Sequence, residues 1–284
     1  MKNAAILLMS CPYQKGIGAA IADFLCEYGA NIIHWDEHLD NTLALFLLRA
    51  EWSLEDFVLD EPCFRKKFGT VALRLSLNWE VEYCTKTSVV AVFVSHHLHC
   101  LLDLLHRYQT GELKCDIGLI VSNHQSASLL AEYYGVPFYY LPVTAETRAQ
   151  VEAEQLELLT RHTVDLIVLA SYMQVMSAGF VAKYPLKIIN VRRSFLSGFA
   201  AVKPYHEAFA HGVKLIGSTG HYVTQSFDEG PIIEQDVSRI SYSDQLDDVI
   251  QKGRDLERIV LSRAVRWHLD RRILCYANKT IVFV

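Results

Sequence analysis

The chain of 284 residues has no apolar run approaching the roughly 18 residues that a membrane span requires, so no transmembrane segment is expected. It has no C-x-x-C pair. Its seven cysteines stand at 11, 26, 63, 84, 100, 115 and 275, a scatter that suits reduced thiols rather than a disulfide frame or a zinc site. It has no basic excess: 27 Lys and Arg against 32 Asp and Glu give a net charge of −5, which argues against a nucleic-acid partner. No internal repeat or low-complexity tract is visible. The apolar start, AILLMS, runs directly into folded-looking sequence and reads as a strand, not a signal peptide. These absences predict a cytoplasmic protein with neither nucleic acid nor membrane as partner.

Two further absences concern chemistry. After the apolar run Val89 to Val94 no glycine occurs until Gly111, so the glycine-rich phosphate turn of a dinucleotide-binding fold is missing. No G-x-S-x-G surrounds Ser194, so a nucleophile elbow is missing too, and a loop serine is ordinarily a turn former.

What is present is the composition of an ordered globular protein, half hydrophobic and about a fifth charged, and long enough for two domains. Ala4 to Met9 reads as a strand. Ile17, Ile21, Phe24 and Tyr28 recur at helical spacing, with Gly29 placed to end the helix. Asn31 to Trp35 and Leu43 to Arg49 read as strands, Ser53 as the N-cap of a second helix, and the alternating VALRLSL of Thr70 to Leu77 as a fourth strand. The order βαββαβ predicts a ferredoxin-like α+β domain over residues 1–83, followed by a linker at 78–88. Apolar strand-like runs and helix-period segments then alternate from Val89 onward. That alternation predicts a Rossmann-like α/β domain over 84–284, with a long helix near Gln245 to Leu269 and short strands around Ile273 and Ile281.

The segment from Leu186 to Asp236 gathers the chemical groups. Asn190 ends an apolar strand, His221 lies near the end of a second, and Asp228 sits in the turn Asp228-Glu229-Gly230-Pro231. Strand ends and their turns are where open α/β sheets bind ligands. His221 alternates with Tyr222, so it faces either core or cleft. His96, His97 and His99 at a helix start point to different faces, which disfavours a shared metal, and no metal site is expected. Asn123-His124 either lines the crevice or caps the next helix.

Ten stretches, among them CPYQKG, SYMQVMSAGFVAKYP, KIIN, PYHEAF, GVKLIGST, HYVT, DEGPIIEQDV, GRDLERIVLSRAV and ANKTIV, resemble the formyltetrahydrofolate deformylases over nearly the whole chain. The resemblance implies an ACT-like N-terminal domain and a formyltransferase-like catalytic domain. It also implies hydrolysis of 10-formyltetrahydrofolate to formate and tetrahydrofolate, with formate feeding purine synthesis and no cofactor beyond the folate substrate. The family's pattern after the strand is Asn-x-His followed by a later Asp. Asn190 and Asp228 match it, whereas Arg192 stands at the histidine. The implied roles are an amide N–H from Asn190 to the formyl oxygen, and a carboxylate at Asp228 that holds the water or tunes an imidazole. Arg192 supplies positive charge but cannot cycle a proton, and His221 is the imidazole able to substitute.

Pattern alone reads Met173 and Val175 as core; the resemblance places them, with Phe227, Glu229 and Gly230, around the pterin ring. Two other functions stay open: a non-catalytic folate-binding protein, and an amine formyltransferase, for which the missing glycine turn disfavours a phosphoribosyl acceptor. The ACT-like turn Pro12-Tyr13-Gln14-Lys15-Gly16 carries Tyr13 where the family has an acid, so the domain is either an amino-acid effector site or a ligand-free dimerisation scaffold. An open sheet edge predicts a homo-oligomer.

Overall fold

A computed structural model describes residues 3–192, 204–226 and 230–284. The chain divides into two compact units: residues 1–87 with 271–277 and 281–284, and residues 88–270 with 278–280.

In the first unit β1 (Ala4–Pro12), α1 (Ile17–Glu27), β2 (Asn31–Asp40), β3 (Leu45–Ser53), α2 (Glu61–Leu75) and β4 (Asn78–Tyr83) follow in order. The strands pair antiparallel in the order β2-β3-β1-β4, the ferredoxin-like arrangement. Alternation along β1 sends Leu7 and Met9 into a core with Phe24, Phe64 and Phe68 from the helices. Phe68 stacks on Phe64 at 5.1 Å and Trp52 on Phe64 at 5.4 Å between centroids. The sheet's other face is buried too: Arg49 and Glu51 pair there at 2.7 Å with side chains 5% and 2% exposed.

Two sequence expectations fail in this unit, for identifiable reasons. Ser53 does not cap the second helix. It ends β3 opposite Ala4 and Asn31, and α2 starts at Glu61, where Asp60 accepts from the Cys63 N–H at 2.8 Å and Pro62 occupies the first turn. The run Thr70 to Leu77 is not a strand. Phe64, Phe68 and Ala72 are buried at four-residue spacing, so the helix continues through Leu75 and leaves Leu73 85% exposed; Ser76, at φ 55°, ends it. The fourth strand is instead Asn78–Tyr83, within the expected linker: Trp79, Val81 and Tyr83 face the core while Glu80 and Glu82 alternate outward.

The second unit contains β5 (Ser88–Val94), α3 (His99–Gln109), β6 (Cys115–Ser122), α4 (Ser128–Tyr134), β7 (Phe138–Tyr140), α5 (Arg148–Arg161) and β8 (Leu166–Ala170). It continues with α6 (Ala178–Lys183), β9 (Ile188–Arg192), α7 (Pro204–Ala210), β10 (Leu215–Tyr222), β11 (Ile232–Arg239) and α8 (Leu246–Leu269). A seven-stranded sheet runs β11-β10-β9-β8-β5-β6-β7. The five strands from β9 to β7 are parallel and β10 is antiparallel to both its neighbours. The parallel strands read as apolar runs because helices cover both faces: every residue of β8 is buried. Winding reverses between β5 and β8, which makes the carboxyl ends of those two strands the switch-point crevice.

The last hairpin, β12 (Ile273–Tyr276) and β13 (Lys279–Val282), was expected to close the second domain. Most of its residues group with the first unit, where Leu274 and Phe283 pack on Leu47. Among the described residues no helix is long and apolar enough to cross a membrane.

Candidate active site

β9 and β10 carry the centre of the site. In their antiparallel register Asn190 lies opposite His221 and Arg192 opposite Thr219. Directly opposed residues share a face, as do residues two apart, so these four side chains lie on one side of the sheet. The alternate positions fix which side. A Cβ built on Gly220 would lie 3.1 Å from Val260 and 3.3 Å from Ala264, and the Tyr222 hydroxyl meets His268 Nδ1 at 2.8 Å. Gly220 and Tyr222 therefore face α8, and Asn190, Arg192, Thr219 and His221 face away from it. Asn190 and Arg192 are half-buried, whereas His221 is only 3% exposed.

The imidazole of His221 is oriented by the backbone. Its Nδ1 donates to the Tyr222 carbonyl at 3.0 Å; a carbonyl can only accept, so the neutral ring carries its proton on Nδ1 and presents Nε2 as the basic nitrogen. The pairing with β11 shifts register between Gly220 and His221, leaving Ile233 of β11 without an opposite residue, while the pairing with β9 stays regular. Gly230 packs against the same carbonyl: a Cβ there would lie 2.8 Å from the Tyr222 carbonyl carbon, and the Tyr222 N–H donates to the Pro231 carbonyl at 3.0 Å. Gly230, expected beside the pterin, thus has a packing task behind His221. Asp228, Phe227 and Glu229 lie outside the described residues, as do Arg193, Ser194, Ser197 and Gly198.

The crevice between β5 and β8 is built around a residue that sequence reasoning passed over. Ser95, 1% exposed, donates to Asn123 Oδ1 at 2.7 Å and accepts from the Met173 N–H at 3.0 Å. One hydroxyl so joins the turns after β5, β6 and β8. Met173 and Val175 are not core: they are 53% and 52% exposed, leaving two apolar side chains beside the switch point. Arg148 donates to the Val175 carbonyl. Asn123 takes part in the crevice, and His124 caps nothing with its side chain.

The three histidines after β5 diverge. His96 stacks on His124 at 3.4 Å between centroids, and burial, then the charge of His96, holds the His124 imidazole below its ordinary value. His99 meets Glu257 of α8, with Nε2 2.9 Å from Oε2, while His97 is exposed. Glu257 was legible only as the one acid on the apolar stripe of Gly253, Leu256, Val260 and Ala264.

Residues 88–265 match the family model for formyl transferases. The chain is 48% identical to a formyltetrahydrofolate deformylase of Synechocystis sp. over the full length of both, and 44% identical to one of Bacillus subtilis over 98% of this chain and 93% of that protein. Among solved structures, a formyltetrahydrofolate deformylase from Pseudomonas syringae pv. tomato superposes with a TM-score of 0.96 at 38% identity, covering all of this chain and 95% of that one.

Proposed function

The chain belongs to the formyltetrahydrofolate deformylase family, and from that membership we propose that it hydrolyses 10-formyltetrahydrofolate to formate and tetrahydrofolate. The observation that supports this reading is the juxtaposition of Asn190 and His221 across the β9–β10 pair, with Arg192 two residues along on the same face.

Hydrolysis needs three things at once: an attacking water that loses a proton, a carbonyl oxygen stabilised as it becomes anionic, and a departing N10 that gains a proton. The Asn190 amide donates to the formyl oxygen. Arg192 adds fixed positive charge for the oxyanion, and a guanidinium stays protonated throughout the working pH range. Asp228 holds the water. His221, through Nε2, is the group able to take the proton and return it to N10. Water adds to the formyl carbon to give a tetrahedral oxyanion; as this collapses the bond to N10 breaks, N10 takes the proton, and formate leaves with the water's oxygen. Because Arg192 cannot move a proton, this chain is expected to bind the folate well and turn it over slowly.

That substitution also favours a second reading, a folate-binding protein that kept the pocket and lost the chemistry. Turnover of 10-formyltetrahydrofolate, measured with and without added amines and beside calorimetric titration with tetrahydrofolate, separates the possibilities. Formate release in water alone supports the deformylase. Binding without turnover supports the second reading, and turnover only with an amine points to a transferase.

No cofactor besides the folate is required by this chemistry. Among the described residues no disulfide joins the cysteines, which suits the cytoplasm, where the released formate would supply purine synthesis. β2 and β4 are the two edges of the N-terminal sheet, and pairing of such edges between copies supports a homo-oligomer. A surface cavity of about 420 Å³ at the start of α1 is lined by Tyr13, Gln14, Lys15, Gly16, Trp35 and Glu37, with one charge of each sign. It suits a small amino-acid effector of the ACT-like domain, and calorimetry with free amino acids tests that role.

A further inference from the structure

The inner face of α8 holds a carboxylate that hydrolysis does not use. Glu257 is 1% exposed, and its two oxygens accept from two different elements: Oε2 from His99 Nε2 at 2.9 Å and Oε1 from the Tyr205 hydroxyl at 2.6 Å. A buried carboxylate is costly unless its lone pairs are met, so the three side chains hold one another in place. The seat for Tyr205 is built into the helix one turn earlier: a Cβ on Gly253 would lie 2.5 Å from the Tyr205 hydroxyl oxygen. Gly253 and Glu257 are four apart and so share a face.

The two partners belong to different elements. Tyr205 lies in the first turn of α7, the element next in the chain after Asn190 and Arg192 of β9. His99 is the first residue of α3, and four residues before it Ser95 holds Asn123 and the Met173 N–H. We propose that Glu257 is a positioning residue for the reaction, anchoring α7 through Tyr205 and the backbone at Met173 through His99 and Ser95. The proposal rests on the deformylase reading of the site. His99, Cys100 and Glu257 also bring three ligand-type atoms within 4.8 Å of one another, so a buried cation is the competing role. Both carboxylate oxygens already accept from the chain's own side chains, which favours the clamp.

Hydrogen exchange on the full chain tests the clamp without requiring turnover. Glu257→Leu should raise exchange about tenfold or more at residues 95–99, at the Met173 N–H and across 204–210, since hydrogen bonds to a charged group are being removed. Glu257→Gln, which can still accept from Tyr205 and donate to a neutral His99, should keep most of the protection. Tyr205→Phe should open 204–210 alone and lower kcat with KM little moved, whereas His99→Leu should open 95–99 and Met173 and weaken tetrahydrofolate binding. If Glu257→Leu does not fold, those two single-bond variants carry the same comparison. The clamp is overturned if exchange rises only within α8, or if the glutamine variant is as open as the leucine one. It is overturned equally if zinc protects wild type at these segments and Cys100→Ala loses that protection. Should the exchange pattern hold while wild type neither binds tetrahydrofolate nor releases formate, the clamp stands as a structural device and the deformylase reading falls.

Discussion

Gly230→Ala is the substitution whose consequence follows most directly from geometry. The added Cβ would lie 2.8 Å from the Tyr222 carbonyl carbon and nearer still to its oxygen, where ordinary contact begins at 3.4 Å. Either the Pro231 end of β11 or the Tyr222 carbonyl must withdraw by more than an ångström to clear the oxygen. That carbonyl orients the His221 ring through Nδ1, and the N–H of the same residue, in the preceding peptide, donates to the Pro231 carbonyl. Overpacking of this kind costs about 1–3 kcal/mol. At about 2–4 °C per kcal/mol for a domain of this size, melting should fall by roughly 2–12 °C. Displacing a reacting group by about 1 Å costs on the order of 10²-fold in rate, so kcat should fall by about 10- to 100-fold. Two measurements separate the parts. Thermal melting reads the strain, and nitrogen NMR of the imidazole reads whether His221 still carries its proton on Nδ1. Gly69→Ala, in an α2 position with open space around the new Cβ, is the control and should not lower the melting temperature. A Gly230→Ala protein that melts with wild type and keeps the Nδ1 tautomer would refute the packing argument. One that melts lower and loses the tautomer, yet turns over normally, would remove His221 from the mechanism.

Arg192→His adds a second group that can cycle a proton and should raise kcat by about 10²-fold or more, with little change in tetrahydrofolate affinity; equal rates in both proteins would show that His221 alone already moves the proton and that Arg192 does not slow the reaction. Asp228→Asn in the same assay should abolish the residual rate. Glu51→Ala removes the carboxylate that pairs with buried Arg49, whose Nε still donates to the Arg271 carbonyl, and should destabilise the first unit by about 3–5 kcal/mol, read by denaturant unfolding with and without the partner change Arg49→Met. Alkylation at pH 8 followed by mass spectrometry should label the exposed Cys26 before Cys115 or Cys275, whose thiols burial pushes up to about 12; the thiolate is the reactive form, and rapid labelling of Cys115 in the folded protein would contradict its burial.

Most of the fold was legible because its signals are local. The apolar runs at Val89 to Val94 and Val164 to Leu169 became β5 and β8, and the stripe from Gln245 onward became α8. The errors fell where two local signals competed. VALRLSL alternates convincingly, yet the burial of Phe64 and Phe68 upstream set a four-residue period that carried the helix through it. The site was legible only in part, because its geometry is set by pairings far apart in sequence. Nothing local to His221 says that it lies opposite Asn190. That follows from the β9–β10 register, and a slip of one residue would have turned it towards α8. Glu257 was hidden for the same reason, since its partners lie 158 and 52 residues away.

That register also explains how a chain can keep this fold while changing its chemistry at position 192. Along β9 and β10 the two faces have separate duties. Gly220 and Tyr222 pack on α8, where a larger or smaller group would meet Val260, Ala264 or His268. Asn190 and Arg192 lie on the other face, and Arg192 is the last residue of its strand, half-buried at the crevice. Position 192 lies on the face turned away from α8, so a change between histidine and arginine there leaves the packing of Gly220 and Tyr222 on α8 untouched. The near-complete superposition on a deformylase is therefore what the packing face predicts, whatever stands at 192. On the deformylase reading turnover would depend on the crevice face, where a guanidinium in place of an imidazole would supply a fixed charge and no movable proton. The same separation predicts that Arg192→His leaves the melting temperature unchanged while it alters the rate. A rise in rate accompanied by a large shift in melting would mean that the two faces are coupled, and the register argument would fail.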